Sequence, residues 1–137
     1  AVAESCTGGA LSSSLTSISG ASSYFNCGFI TYSNQSKVQM LGVNMQTIEI
    51  FGAVSEKVAH EMVIGTGEKA QSNLAVSITG IAGPSGGTPE KPVGMVCFGF
   101  FFNGESTSTT QFFKGSRSDI VSQSIVFALE GLTSMLS

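Results

Sequence analysis

Val93–Lys114 reads VGMVCFGFFFNGESTSTTQFFK. Its first ten residues are an almost continuous apolar run, rich in aromatic and β-branched side chains, which is the pattern of a strand buried on both faces. Glycines interrupt the run, and it is too short to span a bilayer. Asn103-Gly104 follows, the dipeptide best suited to a two-residue hairpin turn. STSTTQFFK then carries the chain back as a second strand. One antiparallel hairpin is therefore built into the sheet.

Upstream, strands alternate with helices. AVAE reads as the tail of a strand, CGFITY (27–32) as a second and NLAVSITG (73–80) as a third. Between them, Leu11, Leu15 and Ile18 mark a short helix ending at Gly20, and SNQSKVQMLG (33–42) marks another. A helix opens at Ser55 with Val58, Ala59, Met62, Val63, Thr66 and Ala70 on one face; Gly65 and Gly67 weaken its second half. A last helix from Ser118 buries Ile120, Ile125, Ala128, Leu129, Leu132 and Leu136. GIAGPSGGTPEKPVG (80–94) holds all 3 prolines and forms a long loop of the kind that is usually functional or disordered. The expectation is an α/β domain with a mixed, mostly parallel sheet of about five strands.

Composition narrows the function. The 137 residues fit one domain, and 42% hydrophobic content with a mean hydropathy of +0.29 predicts a folded globule. Only 11% of residues are charged, against roughly 25% in an average domain, and the net charge is −3. No basic stripe exists for a phosphodiester backbone, so nucleic acid is not an expected partner. Cys6, Cys27 and Cys97 are odd in number and widely spaced, which fits reduced intracellular thiols and provides no zinc ligand set. No signal sequence or membrane span is recognisable, and the chain opens inside a strand without an initiator Met, so its natural N-terminus is expected upstream.

The reactive side chains gather after the strands. In open α/β sheets ligands sit at the carboxyl ends of strands, and ESCTGG, TYSNQSK and SITGIAGPSGG all fall there. Gly8 and Gly9 permit a sharp strand-to-helix turn that lifts Ser5 over the sheet edge, with free helix amides nearby for an oxyanion. Ser5 is then a candidate nucleophile, although Ser5 and Thr7 serve equally well as helix caps. Cys6 competes with it; alternation sends one of the two into the core, and Cys6 is the expected core residue. His60, the single histidine, lies mid-helix far from every polar loop, so no Ser-His-Asp triad is supported. Lys37, one helical turn beyond Tyr32, can act as base if its ammonium is desolvated, and Ser–Lys pairs are a known variant of the triad. Arg117, the single arginine, stands at a helix start where it could grip a phosphate.

AESCTGG, GFITYSNQSK, GAVSEKVAHEM, SITGIAGPSGGTPEKPVG and FKGSRSDI, in that order, resemble the CinA C-terminal domain family across essentially the whole chain. The resemblance implies a three-layer α/β/α sandwich, a single domain over 1–137 lacking the family's N-terminal helix, and a cytoplasmic setting. It implies hydrolysis of the carboxamide of nicotinamide mononucleotide to nicotinic acid mononucleotide and ammonia. Ser5 corresponds to the family nucleophile, with Tyr32 and Lys37 assisting. Thr79 and Arg117 correspond to substrate contacts, joined by the amides of Gly8, Gly9, Gly80 and Gly83. The family commonly has GDR followed by another basic residue, where this chain has Ser116-Arg117-Ser118. The implied partner is a small pyridine nucleotide, with no metal or cofactor required, no membrane, and room for a homo-oligomer. Two rivals remain: a nucleotide-binding module without catalysis, which has no use for Lys37 beside Ser5, and a competence- or damage-associated interaction domain.

Overall fold

The computed structural model describes residues 1–137. In chain order the elements are β1 (Val2–Glu4), α1 (Ala10–Thr16), β2 (Gly28–Ile30), α2 (Asn34–Leu41), α3 (Met45–Phe51), α4 (Glu56–Ala70), β3 (Leu74–Gly80), β4 (Met95–Phe102), β5 (Glu105–Phe112) and α5 (Arg117–Met135). They form one five-stranded sheet in the order β2-β1-β3-β4-β5. β1 pairs parallel with β2 and β3, whereas β4 pairs antiparallel with β3 and β5, so four strands point one way and β4 alone points back. The expected hairpin joins β4 to β5 through Asn103 and Gly104, both at positive φ (50° and 87°).

Strand alternation divides the core into two. Val2, Val76, Ile78, Phe98 and Phe100 face α1 and α5, while Ala3 faces the side where Leu41, Ile48, Val58 and Met62 of α2, α3 and α4 pack. Helices thus cover both faces, giving the α/β/α sandwich. Phe98 and Phe127 meet with ring centroids 4.6 Å apart, and Phe100 and Phe113 complete the aromatic cluster. No helix is long and apolar enough to cross a membrane.

Several local expectations shift. α1 stops at Thr16, and Ile18, expected on its buried face, is 67% exposed. Leu136 likewise lies beyond α5 and is 64% exposed, while Ile120 and Ala128 are buried as expected. α5 starts one residue early, because Ser116 and Asp119 form a reciprocal capping box. α3 buries only Ile48 and carries no strong periodic signal in the sequence. Despite Gly65 and Gly67, α4 runs unbroken to Ala70. A β-carbon on Gly65 would lie 1.9 Å from the Leu41 carbonyl oxygen, and one on Gly67 would lie 2.7 Å from the Phe101 ring. These glycines let α4 pack directly on α2 and on the sheet.

Candidate active site

The three polar loops do converge. β1, β2 and β3 end at one rim, with the chain reversing direction in the sheet on either side of β1, the position where α/β sheets bind ligands. Because β5 runs parallel to them, it delivers the start of α5 to the same rim. The ladder continues one step past β1: Ser5 N–H donates to the Ile78 carbonyl (3.0 Å), and Thr31 N–H donates to that of Glu4 (2.9 Å). Ser5 is therefore held on both flanks by sheet backbone.

Lys37 projects from the first turn of α2, whose start is fixed by Ser33 accepting from the Ser36 N–H at 3.1 Å. It is 1% exposed, the largest fully buried side chain in the molecule. Its Nζ contacts Ser5 Oγ at 3.1 Å and donates to the carbonyls of Thr31 (3.0 Å) and Tyr32 (3.5 Å). None of these partners is a carboxylate. Burial accordingly holds the Lys37 pKa below the ordinary lysine range, opposed by the field of the Cys6 sulfur. An amine that is readily neutral, in contact with a hydroxyl, can accept that hydroxyl's proton.

Cys6 meets the expectation of a core residue in part, since it packs against the core cluster on the α1 and α5 side of the sheet. It is partly buried and lines the same cavity as Ser5, which is the more buried of the two. Burial raises its thiol pKa to about 11, against the lowering effects of its own backbone N–H, Lys37 and Arg117. A thiol so held stays protonated near neutrality and is a poor nucleophile.

The glycine turn works differently from the sequence-based expectation. Glu4 is 0% exposed. Its Oε1 accepts from Thr7 Oγ1 (2.6 Å), Gly9 N (3.2 Å) and Leu11 N (2.9 Å), and its Oε2 from Ser12 N (2.8 Å) and Ser12 Oγ (2.7 Å). Gly8 N–H is taken by the Ser5 carbonyl at 3.0 Å. The α1 amides, expected to be free for an oxyanion, thus already serve an internal anion, and Gly8 and Gly9 lie outside the cavity lining. The amide of Thr7 donates to no protein acceptor, and that of Cys6, on the cavity wall, meets only its own sulfur.

The cavity, about 270 Å³, is bounded by Ser5, Cys6, Tyr32, Lys37, Thr79 to Gly83 and Arg117. Ala53 and Val54, from the loop between α3 and α4, form a wall that sequence reasoning missed, since small apolar loop residues carry no chemical signal. Thr79 Oγ1 donates to the Ala53 carbonyl at 2.9 Å and so braces that wall. The Tyr32 phenol does not reach Ser5 or Lys37: its oxygen accepts from Arg117 Nη2 at 3.1 Å, while Arg117 Nη1 donates to the Gly83 carbonyl at 2.7 Å. Gly80 ends β3 and Gly83 sits in the following loop, both on the cavity wall. His60 is partly buried, 2.7 Å from Ser106 Oγ of β5, and does not line the cavity. A larger groove of about 490 Å³ near the amino end of β1 has no charged side chain in its lining.

These features define an α/β/α sandwich with a serine–lysine contact at the carboxyl ends of its parallel strands. The chain belongs to the CinA C-terminal domain family, which matches residues 1–136. It is 49% identical over 129 residues to the nicotinamide-nucleotide amidohydrolase PncC of Enterobacter agglomerans, covering 93% of this chain and 79% of that protein. A putative competence-damage inducible protein of Alkaliphilus oremlandii is 50% identical, but this chain spans only 31% of its length. Among solved structures, the competence or damage-inducible protein of Enterobacter asburiae superposes with a TM-score of 0.95 at 37% identity, covering 99% of this chain and 86% of that one. The competence/damage inducible protein CihA of Agrobacterium tumefaciens does so with 0.95 at 40% identity, covering 99% and 84%.

Proposed function

We propose that this protein is an amidohydrolase that converts nicotinamide mononucleotide to nicotinic acid mononucleotide and ammonia through a covalent Ser5 intermediate. The observation that carries the proposal is the buried Lys37 Nζ, 3.1 Å from Ser5 Oγ with no carboxylate beside it. A binding module has no need to desolvate an uncompensated ammonium against a hydroxyl. The amidohydrolase name of the Enterobacter agglomerans relative supports the substrate class.

In this reaction neutral Lys37 takes the Ser5 proton as Oγ attacks the carboxamide carbon. The oxyanion is received at the cavity wall by the N–H of Cys6, since those of Gly8 and Gly9 are engaged elsewhere and lie outside the cavity lining. Lys37 then returns the proton to the leaving nitrogen, the C–N bond breaks and ammonia departs. Water attacks the resulting ester with Lys37 again as base, releasing the acid and regenerating Ser5. Thr79 holds the cavity wall, and Arg117 with the loop amides around Gly80 and Gly83 meets the phosphate.

Ammonia release from nicotinamide mononucleotide by the purified protein and its Ser5→Ala variant tests the proposal. Activity in the parent, loss in a folded variant and retained nucleotide binding are expected. Inactivity of the parent toward nicotinamide mononucleotide, or an active Ser5→Ala variant, would overturn it.

A further inference from the structure

Arg117 spans the mouth of the cavity. Its two bonds join the loop after β3, through the Gly83 carbonyl, to the loop after β2, through the Tyr32 phenol. Both partners are uncharged oxygens, so the guanidinium charge is left without an ionic partner. Tyr32 is 59% exposed, yet its own carbonyl accepts from Lys37 Nζ, which ties its backbone to the reacting pair. Its side chain is held at the rim by a single exposed hydrogen bond.

We infer that Arg117 and Tyr32 form a specificity clasp that couples turnover to an anionic group on the substrate. The inference rests on the amidase reading and adds to it what selects the substrate. A phosphate offers the guanidinium an opposite charge and a bidentate geometry that two separate neutral oxygens do not, so a phosphate at the mouth displaces both present acceptors. The phenol, released from Nη2, turns toward the Ser5–Lys37 end of the same cavity, where its hydroxyl can donate to the carboxamide. A substrate without the anion leaves the phenol at the rim. Arg117 therefore influences the reaction through Tyr32 as well as through binding.

Two experiments on the intact protein test this. Ammonia release is compared for nicotinamide mononucleotide and for nicotinamide riboside, which lacks the phosphate, in the parent, Arg117→Ala, Tyr32→Phe and the double variant. Arg117→Ala should lower kcat/KM for the nucleotide about tenfold or more. It should raise turnover of the riboside about fivefold, the gain from freeing a side chain held by one ordinary hydrogen bond. Tyr32→Phe should cancel that gain. A similar fall on both substrates, or a riboside gain that survives Tyr32→Phe, overturns the clasp and leaves the amidase reading standing.

The second experiment is independent of turnover. The chain has 2 tyrosines and no tryptophan, and Tyr24 bonds the Leu15 carbonyl away from the site, so a Tyr24→Phe protein reports Tyr32 alone. Titration with inorganic phosphate should change its tyrosine emission saturably, and the change should vanish in Tyr24→Phe/Arg117→Ala. A flat titration overturns the clasp. If the parent releases no ammonia from the nucleotide, the amidase reading fails and this titration alone decides whether phosphate opens the pair.

Discussion

Glu4→Gln isolates the anion that organises the turn carrying Ser5. The amide oxygen of glutamine can replace Oε1 and keep Thr7 Oγ1, Gly9 N and Leu11 N as donors. Its NH₂ group then occupies the Oε2 position and faces the N–H of Ser12, a donor against a donor, while the Ser12 hydroxyl can rotate to accept. The stranded buried amide costs about 2 kcal/mol, and weaker bonds to a neutral acceptor cost about 1 more, for a total of ~3 kcal/mol. Relief of the buried charge offsets a little of this, since five donors already compensate the carboxylate. In a domain of this size the loss corresponds to roughly 10 °C in Tm. Urea unfolding followed by circular dichroism measures it, with the slope expected to stay unchanged. Because Ser5 is the next residue, kcat should fall while KM moves little. A midpoint shift worth less than ~0.5 kcal/mol would refute the view that Glu4 anchors the turn.

Lys37→Arg should lose turnover almost as completely as Lys37→Ala, because a guanidinium stays protonated and cannot act as base; near-parental activity would eliminate that role. In the parent the rate should climb with pH along an acidic limb below the ordinary lysine range, since the depressed Lys37 pKa makes the competent neutral form available earlier. A flat profile across that limb would argue against it. Cys6→Ala should remain active, and a folded but inactive Cys6→Ala beside an active Ser5→Ala would exchange the two assignments. Gly65→Ala should destabilise by about 3 kcal/mol through overpacking against the Leu41 carbonyl, although the same change in an exposed helix stabilises by about 1 kcal/mol. Denaturation midpoints give the sign directly.

The sequence by itself determined the five strands, every helix except α3, the hairpin and the rim on which chemistry gathers. Strand and helix periods are local properties: the alternation at Val2-Ala3, the apolar run through Phe102 and the Asn103-Gly104 turn can each be read within a few residues. The pairing of Ser5 with Lys37 was legible because both follow adjacent parallel strands, and the matching motif blocks supported it. Only the tertiary structure decided how the polar groups share partners. The α1 amides looked free because helix starts leave donors unpaired, but which acceptor takes them depends on where the Glu4 side chain turns after β1. Tyr32 and Arg117 stand 85 residues apart, and their contact exists because β5 runs parallel to β2 and returns the chain to the same rim of the sheet. Gly65 looked like a helix defect for the same reason: its value lies in the distance to α2, and interhelix distance is a property of packing rather than of any local window.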